Sequence, residues 1–161
     1  MKKVITLSVL SSFIATSCLT IPGLKKPILL VDAPKNTTVI HNGEIVEVED
    51  VTAFREERTQ GNIKHVTLYK YPGVKIKLKK NTELDLKSGD KKGTIKIKTK
   101  PAIGLLIFEG IFTFGIGTIV DLATGAFWVT KNRYVDVPAV LDNKTPREER
   151  ELKNKVKAEF R

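Results

Sequence analysis

The chain has 161 residues and a mass of 18.0 kDa, enough for one domain of ordinary size and too few for two well-cored ones. Its 41% hydrophobic and 29% charged content excludes both a disordered polyelectrolyte and a polytopic membrane protein. A formal charge of +10 points to an anionic partner such as nucleic acid or a lipid surface, while one cysteine and two histidines leave little material for metal or nucleophile chemistry.

Lys2 and Lys3 precede an apolar run, Val4 to Ile14, that is too short to span a bilayer as a stable helix. This pattern predicts a secretory signal peptide over residues 1–17. Ala15-Thr-Ser-Cys18 follows, with small residues leading into the only cysteine, and resembles the lipobox of bacterial lipoproteins. The resemblance implies that Cys18 is acylated, becomes the first mature residue and holds the protein on a membrane, with residues 18–27 as a lipidated tether. Several acyl chains at about 0.8 kcal/mol per buried CH2 would make that attachment nearly permanent. A lone cysteine also supplies no disulfide framework, so the fold must hold by its core. Leu19 and Thr20 bring neither an early aspartate nor an acidic run behind the cysteine, so the expected location is the periplasmic face of an outer membrane.

Residues 28–144 read as an antiparallel β domain. Ile28 to Val31 is a short apolar strand closed by Asp32-Ala-Pro34. Thr37 to His41 and Glu44 to Val48 flank Asn42-Gly43, the pair best suited to a type I′ hairpin turn. Glu49 to Gly61 is polar and predicts a loop. Lys64 to Lys70 alternates as a strand, and Tyr71-Pro-Gly73 predicts a turn after it. Val74 to Lys79 and Thr94 to Lys98 alternate strictly, with Glu83 to Lys87 and a Ser88-Gly-Asp90 turn between them. Asn132 to Val140 supplies a last strand, limited by Pro138. One apolar and one wet face is the pattern of an open or sandwiched antiparallel sheet.

Pro34 to Val39 with the Asn42-Gly43 turn resembles the opening of PEGA-type domains, small β-sandwich modules of bacterial envelope proteins. Gly115 to Trp128, a Gly-rich apolar run leading to Asp121, Thr124-Gly125 and an aromatic pair, resembles a stretch recurring in small bacterial and prophage lipoproteins. Together these resemblances imply a mainly β, lipid-anchored PEGA/Ig-like sandwich with an apolar insert, and they carry no catalytic residue into this chain.

The insert, Pro101 to Trp128, has 17 hydrophobic residues and five glycines among 28, with Glu109 and Asp121 as its only charges. A charge at the bilayer centre costs about 3 kcal/mol, which disfavours a single transmembrane pass. Ile119, Leu122, Ala123, Ala126 and Phe127 have the spacing of an amphipathic helix; Ala102 to Phe114 is apolar nearly all round, and Gly115-Ile-Gly117 breaks the two. This predicts an apolar helical hairpin that caps the β domain as core, enters the membrane that holds the anchor, or meets a protein partner. Phe108, Phe112, Phe114, Phe127 and Trp128 are its large side chains, suited either to core or to membrane.

Between Lys64 and Lys100 stand twelve lysines and three acids, a local net of +9, whereas the rest of the mature chain nets −1. Lys75, Lys77 and Lys79 share one strand face, Lys96 and Lys98 another, and adjacent pairing would make a lysine plateau. Such a plateau is either a solvated face that blocks edge aggregation or a surface for anionic lipid, lipopolysaccharide phosphate or acidic glycan. Nucleic acid is not the expected partner, because the chain carries an export signal and few aromatics interleave with these lysines. Residues 145–161 predict a charged helix, with Thr145 and Glu148 as a capping box, Pro146 at its first position, Glu149–Lys153 and Glu151–Lys155 as pairs, and Leu152, Val156 and Phe160 as an apolar stripe. No phosphate loop, metal-ligand spacing or nucleophile elbow occurs, and His41 and His65 have no reason to pair. The expectation is a non-enzymatic protein without cofactor or metal.

Overall fold

The computed structural model describes residues 26–104 and 127–160, together with Ile107, Ile111 and Ile119. The signal segment, Cys18, and the insert aromatics Phe108, Phe112 and Phe114 lie outside the described residues. The chain is mainly β, with several antiparallel sheets. Its elements are β1 (Ile28–Val31), β2 (Thr38–His41), β3 (Glu44–Val46), β4 (Glu49–Gln60), β5 (Ile63–Val74), β6 (Thr82–Ser88), β7 (Lys91–Ile97), β8 (Thr99–Pro101), β9 (Trp128–Thr130), β10 (Tyr134–Asp136), α1 (Val137–Leu141) and α2 (Glu149–Ala158).

One sheet runs β10-β1-β5-β4, the second β3-β2-β6-β7, and β8 and β9 form a separate two-stranded ribbon. All pairings among these strands are antiparallel except β1 with β10, which is parallel. The two larger sheets share one core: Ile28, Leu30, Val74 and Val135 from the first meet Val39, Leu84, Leu86 and Ile97 from the second. β1 is buried on both faces, as its unbroken apolar run requires. Ile28 and Leu30 enter the shared core, while Leu29 and Val31 join Val51, Ala53 and Tyr71 against Leu152 and Val156 of α2. The stripe read from the C-terminal sequence is thus the docking face of that helix.

The hairpin around Asn42-Gly43 forms as expected, with φ of 53° and 83° at the two turn residues. Four expectations are corrected. Glu49 to Gln60 is a 12-residue strand and not a loop. It pairs with β5 along its whole length, but only Val51 and Ala53 of it are buried, so its outer part forms an exposed two-stranded arm that carries Ile63, Val66 and Leu68 in the open. Tyr71-Pro-Gly73 lies inside β5 and makes no turn there; Gly73 is needed for close approach, since a Cβ would stand 2.5 Å from the Ile28 carbonyl oxygen. Val74 to Lys79 alternates in burial, yet β5 ends at Val74 and residues 75–79 form no ladder. The last strand stops at Asp136, and Val137 to Leu141 turn into α1 with Pro138 in its first turn.

Helix α1 closes the shared core with Val137, Val140 and Leu141. It lies so close to β7 that a Cβ on Gly93 would meet the Val140 carbonyl oxygen at 2.2 Å. The C-terminal helix starts three residues later than a Thr145 cap implies, with Glu148 at its N-cap and no side-chain cap bond. Arg147 explains the delay: its backbone N–H and its guanidinium both bind Asp136, which holds this part of the approach outside the helix.

Candidate functional site: the basic neck of the insert

The ribbon brings the two ends of the insert together. Pro101 pairs with Trp128 and Lys100 with Val129, and beyond the ladder the Ala102 N–H donates to the Phe127 carbonyl at 2.9 Å. Trp128 packs one side against the shared core and lies 5.0 Å from the Phe127 ring, centroid to centroid. The apolar stretch therefore leaves the β domain through a narrow neck. Beyond it Ile103, Ile107, Ile111 and Ile119 are helical and 60–69% exposed. Isoleucines 103, 107 and 111 have the four-residue spacing of side chains that share a helix face. At these positions the insert does not enter the core, which α1 closes instead.

The lysines expected to form a plateau divide into two groups. Lys75 pairs with Glu49 at 2.9 Å and Lys96 with Glu83 at 3.4 Å, both across exposed surface where such pairs contribute little stability. Among the described residues Lys77, Lys79 and Lys98 form no ion pair, and all three are exposed. The two lysine segments are not neighbouring strands, because β7 pairs with β6. They are joined by loop contacts: the Thr99 hydroxyl lies 3.1 Å from the carbonyl of Lys79 and 3.0 Å from that of Lys80, positioned to donate to either. The Thr82 hydroxyl fixes the same turn by accepting from the Lys79 N–H at 2.7 Å. The Lys131 N–H, just after β9, donates to the Lys98 carbonyl at 2.7 Å.

These contacts gather Lys79, Lys80, Lys98 and Lys131 about the neck. A cleft on the side facing α2 is walled by Lys26, Lys100, Lys131, Arg133, Lys153 and Lys157, with Glu149 as its one carboxylate among the described residues. Arg133 donates from Nη2 to the Thr52 carbonyl at 3.0 Å, and burial lowers its pKa from the ordinary guanidinium value. Its Nε is buried without a hydrogen-bond partner among the described residues. The arrangement gathers positive charge beside apolar surface. Lys100, Lys131, Lys153 and Lys157 were outside the expected plateau; their positions in the strands and helix carry no signal that they converge.

A second charged cluster, unread in the sequence, fastens α2 to the β domain. Arg147 donates from Nε and Nη2 to the two Asp136 oxygens, each at 2.7 Å, and from Nη2 to Asp32 at 2.8 Å. Lys155 adds a 2.6 Å bond to Asp32 and so does not form the expected pair with Glu151. Hydrogen bonds from the Arg147 side chain hold the Asp136 carboxyl below its ordinary value against the effect of burial. At Asp32 burial pushes the pKa up, but bonds from Lys155 and Arg147 outweigh it and lower the value.

Comparison with protein-family models, with curated proteins and with solved structures finds no match to this chain.

Proposed function

We propose that this chain is a lipid-anchored protein of the bacterial cell envelope, a non-enzymatic interaction module that holds lysine-rich surface against an anionic envelope surface. In this reading residues 1–17 are removed and Cys18 carries the anchor at the periplasmic face of the outer membrane. The two four-stranded sheets, which share one core, are a β-sandwich of the PEGA kind, and residues 101–128 are an apolar helical hairpin set into it.

The observation that carries the reading is the joining of Lys79 and Lys80 to Thr99, with Lys131 bound to Lys98, at the root of the apolar insert. Cations fixed about one neck act together on a charged bilayer, each lysine near the surface contributing about 1 kcal/mol. Anionic lipid and acidic glycan share the required chemistry; the exposed isoleucines beside the neck favour lipid. The same exposure favours a second reading, in which the insert enters the membrane and acts in exclusion or immunity or alters membrane permeability.

The test is sedimentation of the mature chain carrying Cys18→Ser with phosphatidylglycerol-containing vesicles. Replacing Lys79, Lys98, Lys100 and Lys131 by Gln is expected to weaken binding by at least about tenfold. Binding that is unchanged by these substitutions contradicts the reading.

A further inference from the structure

Parts of the chain that are distant in sequence meet at the cleft beside the neck. Among them, Lys26 comes from the segment entering β1, Lys100 and Ile103 from either side of the start of the insert, and Lys153 and Lys157 from α2. The entry of the chain from the anchor and the exit of the insert therefore lie at one end of the molecule. Seven residues separate Cys18 from Lys26, and the eight chain steps between the two reach at most about 28 Å when fully extended. A lipid on Cys18 thus cannot lie far from the insert's root.

We infer that this end is a bilayer-docking device. The exposed Ile103, Ile107 and Ile111 enter the acyl region, Trp128 sits at the interface, and the cleft lysines Lys26, Lys100, Lys131 and Lys157 bind lipid phosphates. The inference rests on the reading that the basic neck meets anionic lipid, and adds to it the orientation of the molecule and entry of the insert. Charge complementarity selects the occupant: the cleft sets six cationic side chains against Glu149, directly beside isoleucines at least 60% exposed. An aqueous anion satisfies the lysines but leaves the isoleucines in water, whereas the boundary of an anionic bilayer satisfies both. Trp128 suits the interface because its ring has an apolar body and a polar N–H.

The chain contains one tryptophan, so its fluorescence reports this neck alone. The acylated protein is reconstituted into vesicles of phosphatidylethanolamine and phosphatidylglycerol in which a fraction of the lipid is brominated near the headgroup. Quenching of Trp128 is expected. The triple substitution Ile103→Asn, Ile107→Asn and Ile111→Asn, at positions already exposed, is expected to lower that quenching at least about fivefold. Charge reversal of Lys100, Lys131 and Lys157 to Glu is expected to lower it as well, while the anchor keeps the protein on the vesicle. An unquenched Trp128 in anchored protein overturns the inference, and so does quenching indifferent to the isoleucine substitutions. If either result accompanies lysine-dependent vesicle binding, insertion fails and the surface reading stands; loss of that lysine dependence removes the reading itself.

Discussion

Arg147 and Asp136 are joined by two parallel 2.7 Å hydrogen bonds, and Asp136 is only 3% exposed. This fork explains two local departures from sequence expectation. It holds the approach to α2 extended past Thr145, and with Lys155 it turns charge toward Asp32 and away from Glu151. Replacing Arg147 by Met strands a buried carboxylate and is expected to cost about 3 kcal/mol near neutral pH. Adding Asp136→Asn removes the stranded charge and recovers part of the loss. Urea unfolding of the single and double variants measures both steps.

The same carboxylates set the acid limb of stability. Asp32 and Asp136 both titrate below their ordinary value of 3.8 in the folded chain. Their contribution is complete above that value and is lost as pH falls below it toward the folded pKa. The stability gap between wild type and Arg147→Met is therefore expected to be constant above about pH 5 and to shrink below pH 4.

At the alkaline end Tyr71 has the opposite sign. Burial, with the Glu159 carboxylate beside it, pushes its hydroxyl from 10.0 up to about 12. A raised pKa on an acid favours the neutral folded form, so stability is complete below pH 10 and declines as pH rises toward 12. Tyr71→Phe is expected to lack this step, read as a difference between the two unfolding curves across that range.

Gly93→Ala tests the closing of the core by α1. The new Cβ would meet the Val140 carbonyl oxygen at 2.2 Å and Val140 Cγ1 at 2.9 Å, so the helix must lift. A loss of about 2–3 kcal/mol is expected, with new hydrogen exchange concentrated in α1.

Leu152→Ala tests the docking of α2. Leu152 is 2% exposed and packs with Val156 against Leu29 and Val31 of β1. Truncation is expected to cost about 3 kcal/mol and to raise amide exchange in α2 before the sheets. The Phe54–Tyr69 stack, 4.4 Å between centroids, with Phe160 against both rings, holds the last turn of the helix region.

The elements legible in the sequence are those whose periodicity is set by burial. β1, the β2–β3 hairpin, β6, β7 and the α2 stripe each present apolar residues to a core, and Asn42-Gly43 carries its own turn geometry. β4 has no such signature because most of it buries nothing: beyond Ala53 its partner is the equally exposed part of β5, and backbone pairing leaves no mark on the side chains. Residues 75–79 show the converse, since Ile76 and Leu78 turn inward although the segment joins no ladder. Alternation reports which side faces the core and says nothing of ladders. For that reason the lysine plateau was expected through strand pairing, whereas the observed clustering depends on Thr99 reaching Lys79 and Lys80. The Arg147–Asp136–Asp32 cluster joins residues up to 115 positions apart, a distance no local pattern encodes.

The most direct test of the central claim is the intact mass of the protein extracted from membranes of the cells that make it. The expected mass is that of a chain that has lost residues 1–17 and carries acyl chains on Cys18, with none on a Cys18→Ser variant. A chain that retains residues 1–17, or one whose Cys18 is an unmodified thiol, contradicts it.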